Sequence, residues 1–154
     1  AIILHPQFIV CDEPVSSLDV SVRAQVLNLM KDLQEEYRMS YLFISHDLST
    51  VYFLCDTIAV MYLGKIVEVA SKEELFAKPL HPYTQVLFSA IPQPVVGKKK
   101  ERIILSGDVP SPVDLPVGCR FRTRCPYACD KCAEIDPELK DVGNGHKIAC
   151  VLEC

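Results

Sequence analysis

The sequence predicts an α/β fold over residues 1–90 and a small, irregular, cysteine-rich extension over residues 91–154. Three observations carry this. Short apolar runs of strand length alternate with stretches of helical periodicity as far as Ser89. Proline crowds the second part, with four residues before position 90 and seven after it. Six of the eight cysteines, Cys119, Cys125, Cys129, Cys132, Cys150 and Cys154, fall in the last 36 residues.

The elements follow in order. Phe8–Cys11 is an apolar run of β-formers that ends in two acids, as a buried parallel strand would. Val22, Val26, Leu29, Met30, Leu33 and Tyr37 then recur at helical spacing, with Asp19 or Ser21 available as N-cap. Tyr41–Ile44 is a second strand, ending at Ser45-His46-Asp47. A helical stretch over Leu48–Leu54 leads to a strand over Thr57–Tyr62, a turn at Leu63-Gly64-Lys65 and a hairpin partner at Ile66–Val69. Ser71 with Glu74 has the spacing of a capping box, and Pro82 suits the first position of a further helix that carries Tyr83, Val86 and Leu87 on one face. Strand and helix in alternation place functional groups at the carboxyl ends of the strands.

The 154 residues, 49% hydrophobic and 23% charged with a formal net charge of −4, have the composition of a folded chain. The longest apolar runs, such as Thr57–Leu63, fall far short of the roughly 20 residues that span a bilayer. Residues 1–90 hold 11 acids and 6 bases, whereas residues 91–154 hold 9 acids and 10 bases, so the parts differ in charge as well as in proline. Their boundary is expected near 90–96, where Ile91-Pro92-Gln93-Pro94 leads into Lys98-Lys99-Lys100. That basic run is short, stands beside Glu101 and lacks interleaved aromatics, so it reads as a solvated linker and gives no reason to expect nucleic acid as a partner. The first residues lack the basic start and long apolar stretch of a signal peptide, and Ala1 is not an initiator Met, so a fragment of a longer, unsecreted protein is expected.

Asp12-Glu13 at a strand end has a use in phosphate chemistry. One carboxylate can hold Mg²⁺, usually through water, and the other can orient an attacking water. By itself the dipeptide is weak, because two acids after a strand are often a solvated loop. The wider run Asp12-Glu13-Pro14-Val15-Ser16-Ser17-Leu18-Asp19, followed by strand-terminal Ile44-Ser45-His46-Asp47, resembles the second half of an ABC-transporter ATPase. The resemblance implies that Phe8–Asp12 is the Walker B strand, that Asp12 serves Mg²⁺, and that Glu13 is the catalytic glutamate. It implies that Ser17-Leu18-Asp19 is the D-loop, with Asp19 communicating with a partner subunit, and that His46 is the switch histidine at the γ-phosphate. Asp19 can also cap the following helix. No Gly-x-x-x-x-Gly-Lys-Ser/Thr occurs, and the family's Q-loop and Leu-Ser-Gly-Gly-Gln signature are absent. Residues 1–7 resemble the end of the helix after that signature. The implied fold is therefore a partial P-loop NTPase lacking its N-terminal half, which is not expected to bind ATP tightly or to turn it over alone.

Lys78-Pro-Leu-His81-Pro82-Tyr83-Thr84-Gln85-Val86-Leu87 resembles the His-Pro-Tyr element of ATPase subunits in oligopeptide, dipeptide and nickel importers. The tail from Asp108 through Cys119, Cys125, Cys132 and Cys150 is similar to that branch's C-terminal extension. A proline-rich segment of this size is expected to bury little core, so a metal staple suits it, and clustered cysteines in a chain with no secretion signal favour metal over disulfides. The resemblance implies a [4Fe–4S] cluster on Cys119, Cys125, Cys132 and Cys150, its charge offset by Arg120, Arg122 and Arg124. Zinc is the alternative, from the Cys129-x-x-Cys132 spacing and from His146 four residues before Cys150. Cys129 and Cys154 are spare thiols or alternative ligands, while Cys11 and Cys55, alone in apolar surroundings, read as buried free thiols.

The resemblance implies an ATP-hydrolysing subunit that couples ATP and Mg²⁺ to uptake of peptides or nickel. It implies a second ATPase subunit, transmembrane permease subunits and, indirectly, an extracytoplasmic solute-binding protein as partners. The place implied is the cytoplasmic face of the plasma (inner) membrane, as a peripheral protein. A reading of another class is a non-catalytic metal- or Fe–S-binding interaction module on an ATPase remnant.

Overall fold

The structure, a computed structural model, describes residues 2–90, 103, 105, 107 and 110–151. It is mixed α/β and divides into two compact units, Ala1–Asp56 and Thr57–Cys154. The boundary expected near 90–96, the basic run at 98–102 and Cys154 lie outside the described residues.

In the first unit, β1 (Phe8–Asp12) and β2 (Ser40–Ile44) pair in parallel, with Phe8 opposite Ser40 and Asp12 opposite Ile44. The crossover is α1 (Val20–Tyr37), and α2 (Leu48–Leu54) follows β2. Asp19, rather than Ser21, caps α1: its carboxylate accepts from the N–H groups of Ser21 and Val22. Arg38 ends the helix in the left-handed region at φ 51°. The core gathers Val15, Leu27 and Leu54, with Val26, Met30 and Phe43 packed against them.

β1 and β2 differ from the expectation of buried strands. Ile9, Cys11, Tyr41 and Phe43 lie on the partly covered face, whereas Phe8, Val10, Leu42 and Ile44 remain 45–56% exposed. Successive strand side chains point to opposite faces, and only one face of this two-stranded sheet is covered.

In the second unit, β3 (Thr57–Tyr62) and β4 (Lys65–Ser71) form an antiparallel hairpin whose register shifts between Val60 and Met61. Its two-residue turn holds Leu63 at φ 45° and Gly64 at φ 75°, both positive as the right-handed strand twist favours. Ser71 caps α3 (Lys72–Ala77) by accepting from Glu74 N–H, and α4 (Pro82–Ser89) begins with proline at its first turn.

The extension is less irregular than expected. It supplies α5 (Lys131–Glu134), β5 (Lys140–Asp141) and β6 (Lys147–Ile148), and the sheet runs β3-β4-β6-β5. It also buries more core than its composition suggested. Phe121 is 1% exposed, with its ring 5.2 Å from Tyr62, 5.5 Å from Tyr83 and 5.8 Å from His81. One large aromatic ring brings as much apolar area into a core as several small side chains. Ile148 and Ala149 are buried too, and Ala149 N–H donates to Val67 O.

Candidate functional site

The ends of β1 and β2 bring Glu13 and His46 together, while no side-chain contact joins Asp12 or Asp19 to that pair among the described residues. Glu13 follows β1 at φ 45°, and its N–H donates to Ile44 O at 3.0 Å, tying the two strand ends. A non-glycine residue at positive φ is a local strain that the surrounding hydrogen bonds must hold. The held geometry aims the Glu13 carboxylate at His46: Oε1 lies 2.9 Å from Nδ1, with both side chains open to solvent. An ionised carboxylate only accepts, so in this pair the Nδ1–H donates and Nε2 is left for another partner. Asp12 and Asp19 are also exposed. Asp12 offers a hard oxygen donor of the kind Mg²⁺ takes.

Around this pair the loops are fixed by short-range bonds. Ser16 Oγ donates to Glu13 O at 3.1 Å. Asp47 accepts from Ser49 N–H at 2.9 Å and caps α2, while its other oxygen receives Arg23 Nη1 at 2.7 Å. Arg23 Nη2 donates to Leu18 O at 3.1 Å, so one guanidinium joins the loop before α1 to the residue after His46. Asp19 has the cap role, with both of its accepted bonds at 3.0 Å.

The thiols form a separate knot in the second unit. Cys119 N–H donates to Cys132 O, and Cys132 N–H to Cys129 O, each at 2.9 Å. Gly118, at φ +75°, makes the crossing possible: a Cβ there would stand 2.5 Å from Cys132 O and 2.8 Å from the Ala133 carbonyl. Burial pushes the Cys125 and Cys132 thiols up, and the neighbouring thiols Cys119 and Cys129 act on both in the same direction. Among the described residues no three His, Cys, Asp or Glu side chains come close enough to share one ion. Among the described residues, the buried Nε atoms of Arg122 and Arg124, in the loop between Cys119 and Cys125, find no hydrogen-bond acceptor.

His146, the alternative zinc ligand, has a carboxylate beside each ring nitrogen, Glu68 at Nε2 and Glu74 at Nδ1. Its Nε2 lies 2.7 Å from Oε1 of Glu68, and its side chain is 2% exposed. Glu68 is wholly buried and also accepts from Leu80 N–H at 2.7 Å and His81 N–H at 3.1 Å. Three donors on one carboxylate satisfy a charge that burial would otherwise make costly. His81 is buried beside it; desolvation lowers its pKa to about 4 against the opposing pull of Glu68, and its Nδ1 accepts from Tyr83 N–H at 3.1 Å. Neither Glu68 nor this role of His146 was visible in the sequence. Within Ile66-Val67-Glu68-Val69 an acid reads as the solvent-facing position of a strand, whereas here it pairs opposite Ile148 of β6 and is covered by His146 and the segment before α4.

Residues 67–132 match the family model described as the oligopeptide/dipeptide transporter, C-terminal region. Over 153 residues, 99% of this chain and 48% of the relative, the sequence is 56% identical to a putative peptide import ATP-binding protein of Brucella ovis. It is 53% identical over 156 residues, 99% of this chain and 47% of the relative, to the oligopeptide transport ATP-binding protein AppF of Bacillus subtilis. With the dipeptide transport ATP-binding protein DppF of Escherichia coli the identity is 52% over 149 residues, covering 97% and 44%. The chain spans about half the length of the curated relatives it matches.

Proposed function

Because this chain belongs with the C-terminal part of the oligopeptide/dipeptide import ATP-binding proteins, we propose that it carries the hydrolytic half of an ATP-driven peptide uptake motor. The observation that supports this most directly is the 2.9 Å contact between Glu13 and His46 at adjacent strand ends. In the whole subunit, Glu13 would orient the water that attacks the γ-phosphate, and His46, held through Nδ1, would present Nε2 to that phosphate. Asp12 would hold Mg²⁺, which neutralises charge developing on the phosphates. Asp19, besides capping α1, would sense the partner ATPase subunit. This sequence contains no phosphate-cradling glycine loop, so these residues by themselves would not turn over ATP. Permease subunits and a solute-binding protein would complete the assembly at the cytoplasmic membrane face, with peptides rather than nickel as the solute.

In this reading residues 1–90 are the motor's P-loop-type portion and residues 91–154 an extension whose β6 and β5 continue the sheet begun by β3 and β4. The extension would carry a [4Fe–4S] cluster on Cys119, Cys125, Cys132 and Cys150. Arg122 and Arg124, in the loop between two of these cysteines, have buried Nε atoms that find no acceptor among the described residues, in keeping with an anionic group, and the pairing of His146 with Glu68 weighs against zinc. Iron and acid-labile sulfide in protein purified without oxygen, near four of each per chain, test it; zinc alone would overturn it.

The motor reading is tested in the whole subunit with Glu13→Gln. Mg²⁺-dependent ATP hydrolysis should fall by at least about a hundredfold while ATP binding persists. Unchanged turnover would overturn the role of Glu13.

A further inference from the structure

Glu13 and His46 belong to two different loops, and their direct contact is open to solvent on both sides. An exposed pair of this kind holds two loops together only weakly. A second tie between the same loops is better sheltered. Arg23, in the first turn of α1, sends Nη1 to the Asp47 carboxylate at 2.7 Å and Nη2 to Leu18 O at 3.1 Å, and both bonds are part-buried. Its Nε is buried and meets no acceptor among the described residues, so the guanidinium is spent on these two groups.

Each end of this tie is fixed to one member of the pair. The loop from Glu13 to Leu18 is wound tight: the N–H and Oγ of Ser16 both donate to Glu13 O, and Leu18 N–H donates to O of the buried Val15. A shift of Leu18 is therefore carried back to Glu13. Asp47 directly follows His46, its N–H donates to Ser45 Oγ, and its other carboxylate oxygen caps α2. The Arg23 N–H donates to Asp19 O at 2.9 Å, so the helix start sets the root of the side chain. A guanidinium is planar, with its two Nη donors in fixed relation, so it sets a spacing where an ammonium would only attract.

We propose that Arg23 is a positioning residue: by holding Leu18 O and Asp47 in one fork it sets the spacing at which Glu13 and His46 face the same phosphate, an assignment that rests on the reading of those two residues as the hydrolytic pair. Arg23 acts through its neighbours, so its loss should leave ATP binding intact and slow the chemical step. Misplacing a reacting group by about an ångström costs up to about a hundredfold in rate. A side chain that served only the stability of the fold would not separate kcat from KM in this way.

The test is steady-state hydrolysis of Mg²⁺-ATP by the whole subunit, with Glu13→Gln measured alongside. Arg23→Gln should lower kcat at least about tenfold and leave KM for ATP within about twofold of the wild-type value. Arg23→Lys keeps the charge but cannot reach both acceptors at once, and should recover little of the loss. Asp47→Asn keeps an oxygen for Ser49 N–H and loses the one that Arg23 uses; it should slow turnover as Arg23→Gln does, and the double variant should be no slower than either alone. Wild-type kcat in Arg23→Gln, full recovery by lysine, or losses that multiply in the double variant would overturn the role of Arg23 where Glu13→Gln still abolishes turnover. Wild-type turnover in Glu13→Gln would instead overturn the motor reading, and Arg23 with it. A readout free of activity is the nuclear magnetic resonance signal of the His46 ring in the 154-residue chain. Glu13→Gln should shift it less than about half as far beside Arg23→Lys as in the wild-type background, and an undiminished shift would overturn the proposal.

Discussion

The Glu68 carboxylate receives the His146 imidazole Nε2 at 2.7 Å and, on the same side chain, the N–H groups of Leu80 and His81. This single acid joins β4, the segment leading into α4, and the residue just before β6. Its neighbours in sequence are two valines, so the interaction converts an apolar hairpin strand into the anchor for a segment almost eighty residues away.

Removing either member of that pair should be costly, and unequally so. His146→Phe leaves Glu68 with two donors and should destabilise the chain by about 3 kcal/mol. Glu68→Leu removes the carboxylate that two backbone N–H groups and an imidazole share, and should cost about 5 kcal/mol. Urea midpoints give both values. A Glu68→Leu chain as stable as His146→Phe would mean that the backbone donors find other acceptors.

His81 should make stability fall in mild acid. Its pKa is lowered to about 4 in the folded chain from an ordinary value of 6.5, so between those limits the unfolded chain binds the extra proton. The contribution is therefore complete above about pH 6.5, declines as pH falls toward 4, and amounts to roughly 3 kcal/mol in all. His81→Asn keeps an acceptor for Tyr83 N–H and removes the titration. Urea denaturation from pH 4 to 7 should show a shallower slope in the variant, and equal slopes would assign the effect elsewhere.

The elements that local chemistry controls were legible before the structure. Asp19 before a helical periodicity, Pro82 at a first turn and Leu63-Gly64 between two β-rich runs each act within a few residues, and each stands where its chemistry places it. The strand ends carrying Glu13 and His46 were readable for the same reason, since each lies one residue beyond an apolar run. Long-range burial was not readable. Phe121 sits among arginines and a threonine, and Glu68 alternates with valines, so their neighbours in sequence suggest exposure while distant segments bury them. The open face of β1 and β2 was misjudged for a related cause: an apolar strand looks alike whether one side or both are covered.

Gly118 should tolerate no side chain. An added Cβ would meet backbone atoms of Cys132 and Ala133 at 2.5–2.8 Å, and φ is +75°. Backbone cannot swing aside as a side-chain tip can, so Gly118→Ala should cost about 2–4 kcal/mol and loosen the thiol knot. Gly145→Ala is the control: its φ is +71° but nothing lies within 4 Å, so it should cost only about 1 kcal/mol. Denaturation midpoints measure both, and equal losses would show that conformation alone, not the close approach, makes glycine necessary at 118.

Asp47 should matter more as a cap than as a charge. Its carboxylate accepts from Ser49 N–H at 2.9 Å and pairs with Arg23 at 2.7 Å, with side chains 31% and 27% exposed respectively. Partly solvated ion pairs contribute at most about 1 kcal/mol, whereas losing a helix cap costs about 1–2 kcal/mol. Asp47→Asn, which retains an oxygen for Ser49, should lose less than about 1 kcal/mol, and Asp47→Ala about 2 kcal/mol. Because Asp47 directly follows His46, the alanine variant should also free the imidazole from Glu13. In nuclear magnetic resonance spectra, Glu13→Gln should then shift the His46 ring signals in the wild-type background and leave them nearly unmoved beside Asp47→Ala. An undiminished response in the double variant would show that the Glu13–His46 contact holds without the cap.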